Sequence, residues 1–171
     1  MQNTRDTEFL SFYGAEMILE IGRFWASIAS YDEQSDRYEN FGVMGPDEYH
    51  DAYPDAEEPG LDNSGYTNVM AAWVLYRALD VLELLPPNRS RELRETLDIP
   101  DKELELWDKV SRRPKVPFHG REIISQFEGY DQLPEFDWEG YRRKYHALSK
   151  KVSETSVSLL AGSPHLGHLT L

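Results

Sequence analysis

The chain carries 31 acidic against 18 basic side chains in 171 residues, a net charge of −13. Affinity for nucleic acid and for anionic membrane surfaces comes largely from Lys and Arg, so this balance excludes both as partners. The absence of cysteine excludes disulfides, iron–sulfur sites and thiolate zinc sites, and the length fits one ordinary domain with a buried core.

The first nine residues, MQNTRDTEF, contain no apolar segment of the kind that opens a secretory signal. No run of 18 apolar residues follows anywhere in the chain. The expectation is a cytoplasmic protein. Residues 7–30 predict a helix, because Phe9, Phe12, Ile21, Phe24 and Ile28 recur at three- and four-residue spacing. It is apolar on most sides, which predicts burial of the whole helix. Residues 37–43 predict a short strand inside a long segment, 31–64, that Gly42, Gly45, Pro46, Pro54, Pro59 and Gly60 punctuate as loop. The aromatic and apolar residues of this segment argue against disorder.

Residues 67–85 give the clearest helical pattern, with Thr67 as N-cap or Ser64 one turn earlier, and Pro86-Pro87 as its stop. Shorter helices are predicted over 89–97 and 101–112, the second preceded by Pro100. A loop marked by Pro and Gly follows. A last helix starts behind Asp137 as N-cap and carries Trp138, Tyr141 and Tyr145. The pattern degrades beyond Lys151, so residues 1–148 read as one helical segment and 149–171 as a divergent or loosely ordered tail. The fold class is all-α.

The chemistry concentrates in the loop. Between Asp32 and Asp62 there are eleven acids and one base, Arg37. Three readings compete: a solvated face, a cation site and a catalytic carboxylate. The twelve positions from Asp51 to Asp62 match an EF-hand loop in length, but the template wants an oxygen ligand third, Gly sixth and Glu twelfth. Tyr53, Ala56 and Asp62 stand there instead. The five histidines form no HExxH or other close pair on one helix face, so no metal is expected. Neither a GxSxG elbow nor a phosphate-binding glycine loop occurs. Asp32, Glu33, Asp55, Glu57 and Glu58 read as solvated. Asp47 and Glu48 differ, because Gly45-Pro46 sets a tight turn before them and Met44 and Tyr49 flank them. A carboxylic acid beside apolar groups keeps its proton to higher pH, which suits a general acid.

GVMGPDEYH, followed by PGLDNSGYTNVMAAWVL, resembles the catalytic-domain signature of glycoside hydrolase family 65. The upstream FWASIASYDEQSDRYE and the downstream VPFHGREIISQFEGYDQLPEFDW are similar to the family as well, so the resemblance covers about residues 9–145. That family contains inverting phosphorylases of maltose, trehalose, kojibiose and related α-glucosides. The resemblance implies an (α/α)6 barrel of helical hairpins, of which this chain is a part. It implies that Glu48 is the general acid, and that Asp47, Tyr49, His50, Asn63, Tyr66 and Asn68 line or shape the sugar site. It implies a disaccharide and inorganic phosphate as substrates and no further cofactor. An inverting hydrolase needs a second carboxylate to activate water; a phosphorylase does not, since phosphate attacks C1 itself. The family's NNAYTN-like stretch reads Asn63-Ser64-Gly65-Tyr66-Thr67-Asn68 here. The family's Lys-Gln pair downstream and its Trp-Asp segment upstream have no counterpart in the chain. Twelve helices would need roughly 240–300 residues, so the chain is expected to be a piece of such an enzyme. Apolar helix faces left open by half a barrel predict association of copies.

Overall fold

The computed structural model describes residues 6–47, 50–54 and 56–146. They belong to two compact units, Met1–Gln132 and Leu133–Leu171. The division falls inside the segment 1–148, and the tail 149–171 lies outside the described residues.

The first unit opens with α1 (Thr7–Phe9), whose Phe9 N–H donates to the Asp6 carboxylate at 2.8 Å. A π-helical turn (Leu10–Gly14) carries the chain into α2 (Ala15–Ile28). Ala29 is already extended, with φ −75° and ψ 122°. The helix therefore stops short of the predicted residue 30, and Ser30–Asp32 is instead a strand, β1. It pairs antiparallel with β2 (Arg37–Glu39), Tyr31 opposite Tyr38. The Asp32 carboxylate accepts from Gln34 N–H and Ser35 N–H, and Asp36 turns the chain at φ 52°. Asp tolerates that left-handed region through local hydrogen bonding. The predicted strand 37–43 is thus cut to its first three residues. Among the described residues from Asn40 to Ser64 there is no helix or regular strand.

Helix α3 (Gly65–Leu84) follows, with Ser64 as its N-cap: its Oγ accepts from Thr67 N–H at 3.4 Å. Leu85 is extended ahead of Pro86, and α4 (Pro87–Thr96) starts with proline in its first turn, where a missing N–H costs nothing. Helix α5 (Asp101–Arg112) has Asp101 and Glu103 in its first turn and Lys109 and Arg112 in its last, matching the helix dipole. The short pair β3 (Phe118–His119) and β4 (Ile123–Ile124) and a 3-10 turn (Tyr130–Gln132) complete the unit. The unit is helix-rich, as the all-α expectation has it, with two small strand pairs besides. Strands of two or three residues are too short to show alternation.

The core lies between α2, α3 and α5. Leu19, Leu75, Ala78 and Trp107 are fully buried there. At Gly22 the helices come so close that an added Cβ would sit 3.2 Å from Ala78 Cβ. The Arg23 guanidinium ties α2 to the α4–α5 junction, donating to Glu103 at 2.8 Å and to the Leu97 carbonyl at 2.7 Å. Only one side of α2 is covered, however. Phe12, Tyr13, Met17, Ile21 and Phe24 are exposed, against the expectation of a fully buried helix. Tyr66, Val69, Met70, Trp73, Tyr76 and Leu84 of α3 are exposed too. Apolar residues on the second face of a helix imply a covering layer, and among the described residues this chain supplies none.

In the second unit a helix over 138–146, α6, is capped by Asp137, whose carboxylate accepts from Gly140 N–H at 2.8 Å. This is the predicted cap. Phe136, Trp138, Tyr141 and Tyr145 stack along it, with Tyr141 and Tyr145 ring centroids 4.3 Å apart. Among the described residues no helix is long and apolar enough to cross a membrane.

Candidate active site

The loop 40–64 is knitted to itself. Asn63 N–H donates to the Asn40 carbonyl at 2.8 Å. Val43 and Leu61 exchange both backbone hydrogen bonds, at 2.9 and 2.8 Å. Gly45 N–H donates to the His50 carbonyl at 2.8 Å, His50 N–H to the Asp47 carbonyl at 3.0 Å, and Gly60 N–H to the Asp51 carbonyl. Residues 48 and 49 are bracketed by the turn from Asp47 to His50 but lie outside the described residues. The loop therefore differs from the solvated run suggested by its charge, although Glu57 and Glu58 are exposed as expected; Asp55 lies outside the described residues. Where its arms cross, Gly60 adopts φ 125°, and a Cβ there would lie 2.6 Å from Gly42 Cα. Only glycine fits both the dihedral and the space.

An aromatic cluster seats the loop. Phe127 is buried, and His50, Tyr53 and Tyr130 set their rings edge-on to it at 6.4, 5.4 and 5.3 Å. The Tyr53 hydroxyl donates to the Glu128 carbonyl at 2.9 Å and accepts from Asp62 N–H at 3.1 Å. Burial raises its pKa above the ordinary tyrosine value. Thr67 Oγ1, on the first turn of α3, donates to the Met44 carbonyl at 2.8 Å and so fixes the Gly-Pro turn from below.

Beneath the loop lies an asparagine network. Asn68 Nδ2 donates to the Lys115 carbonyl at 2.7 Å and to Asn63 Oδ1 at 3.2 Å, which orients the amide. Asn68 Oδ1 must then accept, and does so from Asn40 Nδ2 at 2.8 Å. Asn40 is fixed in turn, with its buried Oδ1 left without a donor among the described residues. Asn63 has φ 50°, a region Asn visits more readily than most residues. Its Oδ1 also accepts from Asn40 N–H at 3.1 Å, and its Nδ2 donates to Glu128 Oε2 at 2.6 Å. Lys115 Nζ lies 3.0 Å from Glu128 Oε1 and pairs with Glu39 Oε1. The Asn63 hydrogen bond and then the Lys115 charge hold the Glu128 carboxyl below the ordinary glutamate value, against the opposing effect of burial.

The residues expected to line or shape a sugar site thus separate into groups. Asn63 and Asn68 are fully buried and bonded within the chain. Tyr66, in the first turn of α3, is 57% exposed. Asp47 is exposed and His50 half-buried at the two ends of the turn. Glu48 and Tyr49 lie outside the described residues. Sequence reading missed Glu39, Asn40, Tyr53, Lys115 and Glu128, which complete the network. The positive φ at Asn63 had a signal, since Asp62-Asn63 sits in a turn-rich segment; the others had none in spacing. Among the described residues no group of three or more His, Asp or Glu side chains is placed to hold a metal. A cavity of about 640 Å³ between the end of α3 and α4 is lined by Leu82, Arg91, Arg94 and Ile99 among others, and by none of these residues.

The described residues form packed helices that present a glycine- and proline-turned acidic loop. Residues 1–161 match the model of the glycosyl hydrolase family 65 central catalytic domain, and the chain belongs to that family. It is 50% identical over 149 residues to an uncharacterized glycosyl hydrolase of Mycobacterium tuberculosis (strain ATCC 25618 / H37Rv), a match covering 87% of this chain and 11% of that protein. It is 34% identical over 137 residues to the kojibiose phosphorylase of Caldanaerobacter subterraneus subsp. tengcongensis, covering 78% of this chain and 17% of the relative. A solved chain described as "Putative kojibiose phosphorylase from human microbiome" superposes with a TM-score of 0.65 at 24% identity, over 78% of this chain and 18% of that one. The chain thus spans less than a fifth of each of these relatives.

Proposed function

We propose that this chain supplies the acid-bearing segment of an inverting phosphorylase acting on an α-glucosidic disaccharide, with Glu48 as general acid. In this reading a phosphate oxygen attacks C1 of the glucosyl unit from the face opposite the glycosidic oxygen. The C1–O bond breaks, the Glu48 carboxyl proton passes to the departing oxygen, and the products are a glucose 1-phosphate of inverted configuration and the freed sugar. The observation that carries the reading is the pinning of Gly45, Asp47 and His50 on either side of position 48. A proton donor must be held in place to act, and such a turn does that. Relatives named kojibiose, trehalose 6-phosphate and maltose phosphorylase support the substrate class. Glu128, tied by Asn63 and Lys115, does not serve as a water-activating base in this reading. Tyr66, exposed beside the loop, is the sugar-facing aromatic, and Asp47, Tyr49 and His50 complete the rim.

The test measures glucose 1-phosphate formed from maltose, trehalose and kojibiose, with and without phosphate. Glu48→Gln is expected to lower the rate by about 10²–10⁴-fold, the usual worth of a general acid. Equal rates in the two proteins overturn the acid assignment, and glucose released without phosphate indicates a hydrolase. The exposed apolar faces of α2 and α3 favour a second copy of the chain as a further partner, which light scattering reads out.

A further inference from the structure

Three segments distant in sequence meet at one ammonium group. Glu39 ends β2 at the point where the loop begins, and Asn63 stands where it ends. Lys115 follows α5, and Glu128 precedes the 3-10 turn. Lys115 Nζ sits between the Glu39 and Glu128 carboxylates. The second oxygen of Glu128 accepts from Asn63 Nδ2. The main chains repeat the connection: Lys115 N–H donates to the Tyr38 carbonyl at 2.7 Å, and Glu128 N–H to the Asp62 carbonyl at 3.0 Å. The two ends of the loop are therefore joined through one cation shared by two anions. The Glu39 side chain is only 13% exposed and that of Glu128 44%, so without the cation a largely buried carboxylate would lose its counter-charge beside a second, partly exposed one.

We infer that Lys115 is a positioning residue: clamped between Glu39 and Glu128, it fixes the register of the loop that carries residue 48 and thereby sets where the acid stands. The functional half rests on Glu48 being the acid; the structural half does not. It would act through the loop and not on the sugar. Because charge and not mere bulk holds the clamp, the cost of losing Lys115 should fall when one of its carboxylates is neutralised with it.

The experiment compares Lys115→Met, Lys115→Arg and the double variant Lys115→Met/Glu128→Gln with the parent chain. Hydrogen exchange is read at the Val43, Gly45 and Leu61 amides and at helical amides of α2 and α3, beside kcat for phosphorolysis. In Lys115→Met, exchange of the three loop amides should rise about tenfold or more, the factor that loss of one charge-assisted hydrogen bond gives locally, with the helical amides unchanged. kcat should fall in parallel with little change in disaccharide KM. Lys115→Arg should stay near the parent, and the double variant should recover part of the loop protection. Unchanged loop exchange in Lys115→Met overturns the clamp, as does a double variant no better protected than the single one. Faster exchange with undiminished kcat overturns its role in positioning the acid. A Glu48→Gln variant of full activity counts against the phosphorylase reading alone; in that case, and where the isolated parent chain is inactive, the exchange rates still decide the clamp.

Discussion

Replacing Asn68 with alanine tests whether the buried asparagine network holds the loop on α3. Asn68 is fully buried, and its side chain makes three hydrogen bonds inside the chain. Removing it orphans the Lys115 carbonyl and Asn40 Nδ2; Asn63 Oδ1 keeps its bond from Asn40 N–H. Turning the Asn40 amide over gains nothing among the described residues, because its Oδ1 already lacks a donor. Each orphaned buried group costs about 1–3 kcal/mol, so the substitution should destabilise by about 2–6 kcal/mol. That is a large part of the roughly 5–15 kcal/mol by which a domain is ordinarily stable. Urea unfolding followed by tryptophan fluorescence measures it, since buried Trp107 reports on the core. Asn68→Asp should cost at least as much, since a carboxylate oxygen would then face the Lys115 carbonyl and Asn63 Oδ1. A shift below about 0.5 kcal/mol in both variants, the range of an ordinary surface substitution, would refute the reasoning.

Gly60→Ala should destabilise by about 1–3 kcal/mol, from a φ of 125° that alanine avoids and a Cβ pressed against the Gly42 backbone; a melting temperature equal to the parent's would contradict the described crossing. Stability should also fall in acid through Glu128. A carboxyl held below its ordinary value stabilises the fold fully above the unfolded value of about 4.3 and loses that contribution as pH falls through the lower folded value. Urea midpoints measured from neutral pH into acid should show this fall, and Glu128→Gln should reduce it; identical profiles would remove Glu128 as its source.

The helices were legible because their apolar residues keep a period over three or more turns, and their ends because Pro86, Pro87, Pro100 and Asp137 act locally. The end of α2 was read two residues too far, since Ala29 and Ser30 carry no stop signal and β1 is too short for alternation to show. Burial of α2 was misjudged for another reason. Periodicity tells which faces are apolar, and it does not tell whether the same chain covers them; Phe12, Met17 and Phe24 are apolar and exposed. In the loop, GPDE marked the turn because Gly and Pro constrain backbone one residue at a time. Most of the network below it joins residues far apart in the chain, 23 positions in Asn40–Asn63 and 76 in Lys115–Glu39. Such pairings arise only when distant segments are folded together, and no local spacing encodes them.

The cross-links of the loop are unevenly distributed. Gly45 N–H bonded to the His50 carbonyl and His50 N–H bonded to the Asp47 carbonyl close the turn from both sides, so one residue added or removed there would shift its register relative to α3. The stretch 54–59, by contrast, lies between the anchored Tyr53 and the Asp51–Gly60 bond, and its Glu57 and Glu58 reach into solvent. Insertions there could lengthen the rim without moving the turn. One loop can thus keep a fixed register at its turn while its outline varies.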